Sequence, residues 1–287
     1  MGWSMEDNKL FLKNLLQKIK KFFTHKDIVI EQSFETDNHI NLDREKRKSL
    51  LCDDVDRIYI TDKIYIRIPT VREVLEDEQT YYSIVSNLTA SPYQYMVQLD
   101  DMGIDYTTIT NYELFMIFFP MLAKSDLSII FGDLYTEDYN AYVDNSNSTN
   151  IIYSPTNGMD YKIDELTYTQ IADTLRKLNN IEKITKKPGN DEAKRYLLEK
   201  ERKKQRRNAK KPYEPYLEKI VIALVNRPEF KYNYEETMNL SIYKFNQSFK
   251  QIQTSITFDN TMIGVYAGTV DTSKMTDKSC LSWIPIK

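Results

Sequence analysis

"RIYITDKIYIRIPTVRE", residues 57–73, holds the transition on which the fold turns. Ile58 and Ile60, then Ile64, Ile66 and Ile68, alternate with Tyr59, Tyr65 and Arg67, the period-two pattern of two half-buried strands. The stretch therefore predicts a hairpin turning around Asp62-Lys63, although that turn lacks the favoured glycine and leaves the register open. Pro69 closes the second strand, and Thr70 with Glu73 three residues on forms a reciprocal capping box. A helix from Val71 to about Leu88 follows. Paired strands feeding directly into a helix predict an α+β protein rather than an all-helical one.

Downstream the helical signals multiply. Ser91, Pro92 and Gly103 mark cap, first turn and stop of a second helix. Thr110 and Glu113 repeat the capping box before "LFMIFFPML", which makes three helices after the hairpin. Residues 136–162 are rich in Asn, Ser and Asp, with one short strand candidate at 150–153. Next comes a helix through Leu166, Ile171, Leu175 and Leu178, then a turn at "KKPGND" with Asn190 or Asp191 capping the helix beyond. Residues 217–225, apolar almost all round, predict a central helix ended by Pro228. "SIYKFNQSFKQIQTSI", residues 241–256, spaces Ile242, Phe245, Phe249, Ile252 and Ile256 alternately by three and four, the clearest amphipathic helix in the chain.

Upstream, residues 8–23 put Leu12, Leu15, Leu16, Ile19, Phe22 and Phe23 on an arc of about 120°, with five lysines outside it. This amphipathic basic helix is a candidate docking element for the protein's own body, for a partner or for a membrane surface. A strand is expected over residues 27–34. The reading is thus α+β and predominantly α-helical: an N-terminal helix (1–26), an α+β domain (27–140), a polar linker (141–162) and a helical domain (163–287).

Composition limits the function classes. The chain has 287 residues, 41% of them hydrophobic, enough for a core. Two cysteines far apart make neither a disulfide framework nor a zinc spacing. The best apolar run, residues 115–123, is half a bilayer span and contains Pro120. "GVYAGTVDTSK" has three residues between its glycines where a Walker A loop needs four, and reads instead as a helix end with a close-packing Gly264/Gly268 pair. His25 and His39, the only histidines, sit beside no nucleophile elbow, and Asp100, Asp101 and Asp105 miss the ligand order of a calcium loop and read as solvated acids at a helix end. No catalytic, cofactor-binding or metal-binding residue is nominated, and a non-enzymatic role is expected.

The one surface with a chemical preference is "EKERKKQRRNAKK", residues 199–211. It carries a net +6, leaving −9 for the rest of a chain whose total is −3. Its cations, Lys200, Arg202, Lys203, Lys204, Arg206, Arg207, Lys210 and Lys211, point in every direction on a helical wheel. Such a helix is solvated, or meets an acidic protein, or meets nucleic acid.

Three stretches, "SNLTASPYQYMVQLDDMGIDY" (86–106), "KKPGNDEAKRYLLEKERKKQRRNAKKPYEPYLEKIVIALVN" (186–226) and "FNQSFKQIQTSITFDNTMIGVYAGTVDTSK" (245–274), resemble largely uncharacterised proteins of the virion-assembly gene clusters of tailed phages and prophages of low-GC Gram-positive bacteria. The resemblance covers about a third of the chain. It implies a tail-associated structural protein or tail assembly chaperone with tail or other virion proteins as partners, working by protein contact in the host cytoplasm and on the virion. The alternative is a nucleic-acid-binding accessory protein using residues 199–211.

Overall fold

The computed structural model describes residues 49–52, 55–144, 149–209 and 211–285. The expected helix at 8–23, with Leu12, Leu15, Leu16, Ile19, Phe22 and Phe23, and the strand at 27–34 lie outside these residues, as do His25, His39 and Lys210.

Strand β1 (Arg57–Tyr59) pairs antiparallel with β2 (Tyr65–Arg67), setting Ile58 opposite Ile66 and Tyr59 opposite Tyr65. A side chain supplies what the missing glycine would have eased: Thr61 Oγ1 accepts from the Ile64 N–H at 3.0 Å. Ile64, Ile66 and Ile68 are buried while Tyr59 stays exposed, as the alternation requires. The Thr70 box is formed in both directions and starts α1 (Val71–Glu76).

The single helix expected over 71–88 is two. Asp77 (φ −148, ψ 69) interrupts it, and its carboxylate accepts from the Thr80 N–H to cap α2 (Glu78–Leu88). A short acidic side chain that can bond a nearby N–H competes with the helical backbone, and here it wins. A second correction follows. The helix expected to begin at Pro92 begins as α3 (Met96–Asp101), because Gln94 Oε1 turns back to accept from the N–H and hydroxyl of Ser91 and closes residues 92–95 into turns. Helix α4 (Asn111–Leu122) opens with the expected Thr110/Glu113 box, and a short α5 (Ser128–Phe131) brings the helices between β2 and residue 140 to five rather than three.

Within the stretch expected to be a polar linker, β3 (Asn140–Asp144) pairs antiparallel with β4 (Thr149–Tyr153). The β4 strand was legible, since Ile151 and Ile152 are buried, but β3 exposes four of its five residues and so carries no alternation to read. Ile152 also exchanges backbone hydrogen bonds of 2.9 and 2.8 Å with Ile163, which joins the hairpin to α6 (Glu165–Asn179). On α6, Ile171, Leu175 and Leu178 are buried as expected, but Leu166 is 68% exposed. Nine residues separate Leu166 from Leu175, about half a turn out of phase, so the two cannot share a face.

Helix α7 (Asp191–Asn208) buries nothing fully. Helix α8 (Leu217–Val225), expected to be central, is peripheral: Leu217, Val221 and Leu224 form its buried stripe, whereas Ile222 and Ala223 face outward. After α9 (Tyr234–Asn239), which has its own Asn233/Glu236 capping box, α10 (Ile242–Tyr266) buries Ile242, Phe245 and Ile252 and half-buries Phe249 and Ile256. The Gly264/Gly268 pair serves the chain itself. Gly268 turns with φ +71, and a Cβ on Gly264 would sit 2.7 Å from Val270 Cγ2, so only glycine lets the chain fold back that closely.

Two apolar clusters result. The larger draws on both halves of the chain, from Ile64, Val71, Tyr81, Phe119 and Leu175 to Val221 and Phe245. The smaller joins Met96, Leu99, Leu114 and Ile117. The start of α1 and the start of α10 are clasped by two backbone bonds, Val71 N–H to Leu240 C=O at 2.9 Å and Ile242 N–H to Pro69 C=O at 2.8 Å. The architecture is α+β, with two small antiparallel sheets in the N-terminal half and helices in the second. Among the described residues no helix is long and apolar enough to cross a membrane.

Candidate anion-binding face

The basic helix α7 is well started and well ended. Asn190 Oδ1 accepts from the Ala193 N–H at 2.7 Å, Asp191 and Glu192 occupy the first turn, and Arg206 and Arg207 the last. This charge order complements the helix dipole and adds stability to a helix that buries no residue fully.

One face of α7 is nevertheless docked. Lys194, Leu197, Leu198, Glu201, Arg202 and Gln205 are half-buried, and the two leucines pack against the smaller apolar cluster. Arg202 Nη2 reaches Asp100 Oδ2 and Asp101 Oδ1, both at 2.6 Å, while Lys194 Nζ reaches Asp105 Oδ2 at 2.5 Å and lies 5.7 Å from the centre of the Tyr106 ring. The three acids expected to be merely solvated are therefore the counter-ions of the basic helix. Arg202, expected among the free cations, is held inward.

Docking sorts the remaining charges, a division the helical wheel alone did not show. With the inner face occupied, Lys200, Lys203, Arg206 and Arg207 fall on the outer side at three- and four-residue spacing, led by Tyr196, which is 63% exposed. The run from Tyr196 to Arg207 is about 16 Å long at 1.5 Å per residue. Lys203 pairs with Glu199 at 2.6 Å, an exposed pair, and Lys204 with the half-buried Glu201 at 3.5 Å; such helical pairs are worth about 0.2–0.5 kcal/mol. Lys200, Arg206, Arg207 and Lys211 have no ion-pair partner among the described residues. The face can accept carboxylates or phosphates, with Arg206 and Arg207 able to do so in bidentate fashion.

Docking is pH-dependent in a defined sense. The Lys194 ammonium, helped by the Thr107 N–H and hydroxyl, holds the Asp105 carboxyl at about 2. A folded value below the ordinary carboxylate range means the stabilisation is complete above about 4 and is lost as pH falls from there through about 2. In an acid titration of urea stability, the wild-type protein should lose more between these limits than Asp105→Asn. Identical curves would mean that the pair contributes nothing.

The described residues contain no group of three or more His, Cys, Asp or Glu side chains placed to hold a metal, and Cys52 and Cys280 are both free thiols. One residue escaped sequence reading altogether. Glu78, in the first turn of α2 and only 7% exposed, accepts with Oε1 from the Tyr213 hydroxyl at 3.0 Å and from the N–H groups of Tyr216 and Leu217 at 2.8 and 3.1 Å. It caps α8 from 138 residues away, where no local spacing could reveal it.

Residues 204–286, less than a third of the chain, match the family model described as YomV second domain. YomV is a protein of a Bacillus phage or prophage region, and the match supports a phage-associated protein. The matched stretch runs from the last turn of α7 through α8, α9 and α10 into the C-terminal segment. No curated protein and no solved structure matches the chain.

Proposed function

We propose that this protein is a non-enzymatic, phage-associated component of tail assembly, structural or chaperone-like, that presents the outer face of α7 to an acidic surface of a virion protein. One observation carries the proposal: α7 spends Arg202 and Lys194 on its own body and leaves Lys200, Lys203, Arg206 and Arg207 aligned on the other side. A helix whose purpose was only to be solvated needs no such division. The host cytoplasm, where tails are assembled, is the expected place of action.

A second reading has its own support, because aligned arginines and lysines beside an exposed tyrosine also suit a nucleic-acid backbone with a stacked base. The overall charge of −3 weighs against it, since most of the surface would repel phosphates.

The test is a charge reversal of Lys200, Lys203, Arg206 and Arg207 to Glu in a tagged protein expressed during phage infection. Wild-type protein should co-purify with an identified tail protein, and the variant should lose at least about fourfold of that binding, given about 0.2–1 kcal/mol for each of four exposed pairs. Tails and tail intermediates that form normally without the protein would defeat the proposal. Duplex DNA bound tightly at 50 mM salt, released by 200 mM, and not bound by the variant would move the assignment to the second reading.

A further inference from the structure

The second hairpin has one covered edge and one open edge. On the β4 side, Ile152 exchanges both of its backbone hydrogen bonds with Ile163, at 2.9 and 2.8 Å, and the Asn150 carbonyl accepts from the Tyr112 hydroxyl at 3.0 Å. Those bonds fix the phase of the ladder. In an antiparallel pair, opposed residues alternate between exchanging both bonds and turning both groups away from each other. Ile152 spends its groups on Ile163, so Ala141, opposite it, also turns its N–H and C=O away from β4, and Val143, opposite Asn150, does the same. The outer side of β3 therefore presents two donors and two acceptors with no partner among the described residues.

This edge lacks the usual guards. Sheet edges are ordinarily kept from pairing with another chain by lysine, proline or a bulge. Residues 140–143, Asn-Ala-Tyr-Val, are neutral, exposed and paired with β4 without interruption. The one charge on the strand, Asp144, lies at its end, buried and paired with Lys162 at 3.4 Å. The first hairpin, by contrast, carries Arg57 on one strand and Arg67 on the other. Tyr142 and Val143 are 38% and 46% exposed, and the Tyr142 ring meets that of Tyr153 edge-on at 5.6 Å between centres.

We propose that β3 pairs with β3 of a second copy of this chain, antiparallel across a two-fold axis at Tyr142. In that register Ala141 of each copy opposes Val143 of the other, so the donors and acceptors on both edges are used in four hydrogen bonds, and Tyr142 opposes its own counterpart in the closely spaced position between them. Asn140 opposes Asp144, so no like charges meet. A second copy fits this edge better than a flexible peptide does. Its β3 is already extended and held by β4, whereas a free segment gives up backbone freedom at each of about five residues, more than four main-chain hydrogen bonds return.

Sedimentation equilibrium of the full chain from about 5 to 500 μM should show a reversible monomer–dimer equilibrium, since a contact this short belongs to the weak class of interfaces. Ala141→Pro removes one outward donor without touching a ladder bond, and Val143→Lys installs the missing guard. Each should raise the dimer dissociation constant at least tenfold with circular dichroism unchanged. The register has its own readout. With Cys52 and Cys280 replaced by serine, Tyr142→Cys should cross-link to its counterpart under mild oxidation, because closely spaced pairs hold their Cα atoms about 4.5 Å apart, within disulfide reach. Leu166→Cys, on α6 and 68% exposed, should not. Reversal of Lys200, Lys203, Arg206 and Arg207 to Glu should leave dimerisation within about twofold, so this contact and the face of α7 stand or fall separately. A monomer throughout, a dimer indifferent to both β3 variants, or equal cross-linking by the two cysteine variants overturns the proposal. So does a monomeric wild type whose β3 variants lose a co-purifying tail protein, which would give the edge to a different partner.

Discussion

Phe119→Ala should lower the unfolding free energy by about 3–5 kcal/mol. The side chain is 2% exposed, and its ring lies 4.6 Å from Phe115, 5.8 Å from Tyr139 and 6.4 Å from Phe131, centre to centre. The last two contacts are edge-on, the geometry in which the positive rim of one ring meets the negative face of another. Three elements meet there: α4, α5 and the approach to β3. Truncation removes the wedge between them, and rigid neighbours such as Tyr139, whose hydroxyl donates to the Tyr161 carbonyl at 2.9 Å, cannot close over the space. Urea denaturation should show a lower midpoint with an unchanged slope. Met121→Ala, two residues along the same helix but 40% exposed, should stay within about 0.5 kcal/mol.

Glu78→Ala should cost about 2–4 kcal/mol, an unusual figure for a charged residue in the first turn of a helix. The substitution leaves the N–H groups of Tyr216 and Leu217 without their acceptor, and Tyr216, as N-cap of α8, has no side-chain cap of its own to replace it. A buried donor such as the Leu217 N–H, stripped of a charged acceptor, loses more than one ordinary hydrogen bond. Glu78→Gln keeps an acceptor oxygen and should recover at least half of the loss, whereas Tyr213→Phe removes one bond and should cost about 0.5–1.5 kcal/mol. Hydrogen exchange distinguishes this account from general destabilisation: protection in α8 should fall before protection in α2. Uniform loss across the molecule would show that the carboxylate is not a specific cap.

These two residues also mark what could be read from the sequence. Features fixed within four residues were legible: the Ile58–Ile68 alternation, the boxes at Thr70/Glu73 and Thr110/Glu113, the Asn190 cap and the Ile242–Ile256 stripe all stand where their spacing puts them. Errors arose where a side chain had two local options, as at Asp77 and Gln94, or where an apolar residue was counted without its angle, as at Leu166 and Ile222. The candidate site was half legible. Its cations were visible, but their sorting into inner and outer faces depends on Asp100, Asp101 and Asp105, about a hundred residues away, and those acids have no periodic relation to α7.

The clasp between Pro69–Val71 and Leu240–Ile242 sets how the molecule bears a load. Its two bonds run across a short antiparallel bridge, so a pull that draws the start of α10 away from α1 loads the Pro69–Val71 segment, which the Thr70 capping box ties to α1. Such a pull would be shared with the first hairpin, whose second strand runs directly into Pro69.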